Sequence, residues 1–136
     1  MGNKTIIQLN LHKKLAWIFL IIAAACEAAW TFSLKLMKFS SLKTLNWHTL
    51  ISPGISLPII LPFAGYVIFG LVNIYFFSMA IKQIPMAIAF AVWTAASLVF
   101  IKAAEVAFFK QPIALAEIFF ILMIMAGMLG LKYYTH

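Results

Sequence analysis

Between Leu15 and Leu34 the chain runs twenty residues with a single charge, the carboxylate of Glu27. A stretch of that length and polarity matches the hydrocarbon core of a bilayer, which takes about 20 apolar residues to cross as a helix. In lipid every backbone polar group has to be satisfied internally, so the spanning choices are helices or closed barrels. The run is too long and too uniformly apolar for barrel strands, which alternate. A carboxylate inside such a span is costly and usually faces a partner, a cavity or an ion path. The competing reading, a short soluble helix with Glu27 on its wet face, has to be judged against the rest of the chain.

The rest of the chain favours the membrane. Of 136 residues, 65% are hydrophobic and only 10% are charged, unlike any ordinary soluble domain. Four spans fit, at about 15–37, 59–81, 86–109 and 112–131, in one domain covering 1–136. The fold class expected is an all-α integral membrane protein with four transmembrane helices. Residues 1–14 read as a short polar-edged tail, and 38–58 as an extended first loop. In that loop Ser40, Ser41, Thr44, Asn46 and His48 alternate with Leu42, Leu45, Trp47, Leu50 and Ile51. A short interfacial helix and a plain loop both suit it. Pro53-Gly54 and Pro58 then punctuate the chain. Lys82-Gln83-Ile84-Pro85 and Lys110-Gln111-Pro112 read as tight turns, with Pro112 suited to start a helix. So short a connection makes spans two and three antiparallel neighbours.

The net charge of +7 comes from ten lysines and three glutamates, with neither arginine nor aspartate. The lysines sit between and beside apolar runs, where they anchor span ends, so nucleic acid is not the expected partner. Lys4, Lys13, Lys14, Lys82 and Lys132 fall on one side. Lys35, Lys38, Lys43 and Lys110 fall on the other, joined by Lys102 if it reaches that surface. Lysine bias normally sets orientation. Its near-absence permits insertion in either direction, and hence an antiparallel, dual-topology pair of identical chains.

Other motifs are quickly bounded. Cys26 is the only cysteine, so no intrachain disulfide forms, and in an apolar run it packs as a small hydrophobe. Lys13-Lys14 ahead of an apolar run resembles a signal peptide, but the run is too long and carries Glu27, so a retained span is expected. Met1-Gly2 opens like a myristoylation signal, yet Ile6 stands where Ser or Thr is required. His12, His48 and His136 are isolated, and nothing resembles a metal site or a phosphate loop. Neither a cofactor nor an enzyme is expected. Gly65 and Gly70 are five apart, and Gly127 and Gly130 three apart, so neither pair is a Gly-x-x-x-Gly motif.

Four stretches carry a family resemblance. Ala25-Cys-Glu-Ala-Ala-Trp-Thr-Phe-Ser-Leu-Lys-Leu-Met-Lys-Phe-Ser-Ser41 is similar to the first-helix signature of the small multidrug resistance transporters. Ile84-Pro-Met-Ala-Ile-Ala-Phe-Ala-Val-Trp-Thr94 resembles the start of the third helix. Phe108-Phe-Lys-Gln-Pro112 looks like the turn before the fourth, and Gly127-Met-Leu-Gly-Leu-Lys132 like its end. Trp30 and Trp93-Thr94 point to the guanidinium-exporter branch. The resemblance implies an antiparallel homodimer in the bacterial inner membrane, exchanging protons for a small organic cation, guanidinium-like or quaternary ammonium. It also implies that Glu27 is the essential acid and Trp93 the family's third-helix tryptophan. There are departures. Phe90 replaces a tyrosine, Asn73 falls where the branch has a serine supporting the glutamate, Ala87 replaces a glycine, and Ala95-Ala96-Ser97 replaces a small glycine-containing kink.

The expected chemistry follows from few residues. Proton and cation compete for the carboxylate of Glu27, and two copies in one cavity titrate as coupled steps. Trp30 lies one turn along the same face, where it walls the cavity or donates its N–H to the carboxylate. Trp93 is a second aromatic wall, and an aromatic face beside a carboxylate suits a cation. Thr31, Ser33, Asn73 and Ser97 are candidate donors around the acid, although a helical hydroxyl often bonds its own i−4 carbonyl instead. Phe90 keeps an aromatic wall but has no hydroxyl to offer. Lys102 and Glu105, three apart, form an ion pair or reach the headgroups; facing a pore, they would suit an anionic or zwitterionic substrate. Glu117 reads as an interface residue near the start of span four. The competing function is a non-enzymatic membrane subunit of a heteromeric transporter, or a flippase-like protein for lipid-linked groups.

Overall fold

The computed structural model describes residues 2–43 and 46–134. Met1, Thr44, Leu45, Thr135 and His136 lie outside it, as do the side chains of Leu42, Thr49, Leu50, Pro53 and Ile55. The expectations placed on the Met1 end, on Thr44, Leu45 and Leu50, and on His136 therefore fall outside the described residues. Six helices follow in order: α1 Gly2–Leu36, α2 Phe39–Leu42, α3 Trp47–Leu50, α4 Pro53–Ile81, α5 Met86–Phe109 and α6 Leu115–Tyr134. Four are long and apolar enough to cross a membrane: α1, Ser56–Ile81 of α4, α5 and α6.

Several boundaries differ from the sequence reading. The tail expected at 1–14 is helical from Gly2, continuous with the first span. Residues 3–52 contain neither glycine nor proline, so nothing local stops a helix there. At 35 residues α1 is about 52 Å long against a hydrocarbon core of about 30 Å. The helix gives way at Lys38, whose backbone is extended. The first loop is neither one interfacial helix nor a plain loop, but holds the two single-turn helices α2 and α3. Pro53 starts α4 behind an extended Ser52, while Pro58, read as punctuation, lies inside the helix, as does Pro62. Each removes one ladder bond, a loss that helices buried among neighbours tolerate. Pro112 stands ahead of α6, which begins at Leu115. The turn before it forms because Lys110 takes a left-handed conformation (φ 50°) and its N–H bonds the Glu105 carbonyl.

Helix α1 is the centre of the bundle, packing on α4 over its longest face and on α5 over a shorter one. Its buried stripe is Ala16, Leu20, Ala23, Ala24, Ala28 and Ser33. Small side chains at that spacing let backbones approach, which is how helices gain contact in lipid. The α1–α4 pairing is antiparallel: Phe19 meets Phe76, Trp30 meets Tyr66, and Ser33 meets Gly65. Helices α4 and α5 are antiparallel as the short turn requires, with Phe77 against Phe90 and Trp93. The densest packing lies near that turn, where Ala16, Leu20, Ala80, Ile84, Ile88, Ala89 and Val92 form one cluster. Helix α6 packs chiefly on α5, and none of its described side chains is buried.

Candidate functional site

The α1–α4 register brings Glu27 opposite Asn73, and the two side chains bond. Asn73 Nδ2–H donates to Glu27 Oε2 at 2.5 Å. Trp93 Nε1–H, from α5, donates to Asn73 Oδ1 at 3.3 Å. The amide's orientation follows from chemistry. An indole N–H only donates, so the amide oxygen has to face it, and the NH₂ group is left for the carboxylate. Asn73 is buried, and both ends of its amide are satisfied. One side chain thus joins the acid of α1 to the tryptophan of α5.

The Glu27 carboxyl opens on a cavity of about 330 Å³ between α1 and α4. Its lining includes Trp30, Tyr66, Gly70 and Asn73, with Val67, Leu71 and Ile74 completing it. Trp30 stacks on Tyr66 with ring centroids 5.3 Å apart. It fits because Gly70 has no Cβ: one there would lie 3.2 Å from the indole nitrogen. Gly65 likewise makes room for Ser33, whose Oγ would lie 2.8 Å from an added Cβ. Gly65 and Gly70 of α4 thus admit α1 side chains.

Of the expected site residues, the fold brings Glu27, Trp30, Asn73 and Trp93 together. Trp30 walls the cavity and has no hydrogen bond to Glu27; among the described residues the carboxylate's bonded partner is Asn73. Trp93 stands behind Asn73 rather than in the lining. Phe90 packs on Trp93 at 5.4 Å and is otherwise largely exposed, away from the cavity within one chain. Ser97 bonds the Trp93 carbonyl of its own helix, at 2.7 Å. Ser33 likewise bonds Ala29, so both hydroxyls take the i−4 alternative. Thr31 faces a small crevice on the α5 side. Tyr66 and Gly70 join the expected residues in the cavity lining. Counting back from Asn73 by three and seven along a helix finds them on one face.

The other two acids have lysine partners. Lys102 pairs closely with Glu117 of α6 and stands 4.0 Å from Glu105. Glu105 also meets Lys35 of α1 at 3.6 Å, and Lys35 lies over the Phe109 ring. The expected Lys102–Glu105 contact is present, but the stronger pairings run between helices and tie α1, α5 and α6 together. Among the described residues no lysine pairs with Glu27, and no group of His, Cys, Asp and Glu side chains has a metal-binding arrangement.

Four apolar helices with a lone carboxyl on an open cavity between α1 and α4 define an integral membrane protein with a polar site on its bundle. The model of the small multidrug resistance protein family matches residues 15–124, and the chain belongs to that family. It is 28% identical over 118 residues to a guanidinium exporter of Yersinia pseudotuberculosis serotype I (strain IP32953), covering 87% of this chain and 97% of that one. It is also 28% identical over 120 residues to the uncharacterized membrane protein YvaE of Bacillus subtilis (strain 168), covering 88% and 87%. A second protein of that strain, YvdR, is 29% identical over 118 residues, covering 87% and 95%. The chain is accordingly a small-molecule efflux transporter, multi-pass in the bacterial inner membrane.

Proposed function

We propose that this chain exchanges protons for a small organic cation, guanidinium-like or quaternary ammonium, at Glu27, and works as an antiparallel homodimer. The observation that carries the reading is the contrast among its three acids. Glu105 and Glu117 have lysine partners, while Glu27 has an amide and an aromatic-walled cavity. A cation entering there gains the carboxylate and the faces of Trp30 and Tyr66. A proton takes the same carboxylate, so each ligand expels the other. Similarity to a guanidinium exporter agrees with the substrate class.

The dimer is supported by the lysine balance. With Lys102 held by Glu117 near the α5–α6 turn, it counts with Lys35, Lys38, Lys43 and Lys110. Each side then has five lysines. The test is proton release from purified protein across guanidinium, quaternary ammonium and polyamine compounds. Release by one class, lost in Glu27→Gln, is expected; none from any class overturns the exchange. Cysteine labelling at both termini should find both orientations in one membrane. A single orientation, or an obligatory different chain on purification, overturns the homodimer and favours the heteromeric reading.

A further inference from the structure

At the end of the bundle opposite the Lys102 cluster lies a second cavity of about 370 Å³, lined by Lys13, Trp17, Gln83, Ile84, Pro85, Ile88 and Lys132. Three span ends meet there: the start of the apolar run in α1, the α4–α5 turn, and the last turn of α6. Lys132 Nζ sits 4.1 Å over the Trp17 ring. Among the described residues neither Lys13 nor Lys132 has an acidic partner, and all three glutamates lie elsewhere. The two lysines form the polar rim, while Trp17, Ile84, Pro85 and Ile88 form an apolar floor against the core cluster.

We propose that this cavity binds an anionic phospholipid, its headgroup phosphate between Lys13 and Lys132 and an acyl chain along Trp17 and Ile88. Three features select that occupant. Uncompensated positive charge selects an anion. Lysine and tryptophan at span ends place the rim at headgroup depth. The floor beneath the rim is apolar, a surface that an acyl chain uses and a free inorganic anion does not. Basic pockets between transmembrane helices at a membrane surface bind anionic headgroups in this manner. The opposite end does not offer the same site. There Lys35 and Lys102 are neutralised by Glu105 and Glu117, and the cavity of about 210 Å³ beside α2 has the single lysine Lys38.

The experiment is native mass spectrometry of the full chain, purified in detergent and titrated with phosphatidylglycerol or phosphatidylcholine. The unaltered protein should retain phosphatidylglycerol preferentially. A lysine near an anionic headgroup contributes about fivefold in affinity, so Lys13→Gln with Lys132→Gln should lower retention about twenty-five-fold. Lys13→Gln alone, at an exposed residue, should lower it about fivefold and serves if the double variant does not fold. Arginine at both positions should preserve the preference, and Lys38→Gln should leave it unchanged. Equal retention of the two lipids, or a preference indifferent to Lys13→Gln, overturns the site. Displacement of the lipid by millimolar inorganic phosphate overturns the lipid as its occupant in favour of a free anion.

Discussion

The mid-bundle acid and the charged cluster near the α5–α6 turn use the same side chain to opposite ends. In the cluster, Lys35, Lys102, Glu105 and Glu117 neutralise one another across three helices. Such pairs hold register; partly exposed, they contribute little stability. Glu27 has no such counter-ion among the described residues. It has a neutral donor on one oxygen and a cavity beside it. A charge that its own fold leaves uncompensated is available to a ligand, whereas a compensated one is not. Location within an apolar helix does not by itself separate the two groups, since α5 also carries Lys102 and Glu105, nearer its end. The partners do.

The contrast is most directly broken at Glu27. A charge-assisted contact is worth about 1.5–3 kcal/mol, so Glu27→Gln should weaken cation binding at least about tenfold. It should also remove the pH dependence, which in the unaltered protein weakens binding by up to about tenfold per unit as pH falls through the acid's titration. Calorimetry at several pH values reads both; retained pH dependence would move the exchange site elsewhere. Asn73→Ala comes next. It strips a partner from Glu27 and from the Trp93 N–H, each such loss costing about 1–3 kcal/mol where the group is buried. The thermal midpoint in detergent should fall by several degrees, and the pH at which cation binding is half-lost should shift. If neither moves, the amide is not the link described above.

Gly70→Ala sharpens the cavity side of the comparison. Trp30 has to yield by a few tenths of an ångström, spoiling its stack on Tyr66, and cation affinity should drop about threefold with little change in folding. A larger cost in stability than in affinity would make the glycine a packing residue only. The smallest effect is expected at Lys102→Met, a fall of a few degrees at most in thermal midpoint with cation binding and its pH dependence intact. Lost exchange in that variant would erase the distinction between the two groups of acids.

Much of this was legible because lipid imposes a simple code. Apolar runs of about 20 residues located four helices, and one acid inside the first pointed to the candidate site. Asn73 stood out because a buried amide demands both a donor and an acceptor. The rest depended on how helices pair. That Trp30 walls the cavity while the amide reaches Glu27 follows from the α1–α4 register, which no local pattern encodes. The tie between Lys102 and Glu117 crosses a turn and fifteen positions of sequence. Pro58 misled because proline ends helices in water more often than among apolar neighbours. The helical stretch ahead of Lys13 was hidden by its polarity, although nothing in it breaks a helix.

The orientation of the Asn73 amide divides the roles of the two Glu27 oxygens in the proposed exchange. The indole N–H holds the amide oxygen, so the NH₂ cannot turn away from Glu27 Oε2 without leaving a donor stranded. Whichever carboxylate oxygen faces the amide is the acceptor, and in the proposed exchange the other takes the incoming proton. Any change that swings α5 away from α4 would pull on this amide and disturb that division, so occupancy of a single oxygen and the disposition of a neighbouring helix are read through one side chain.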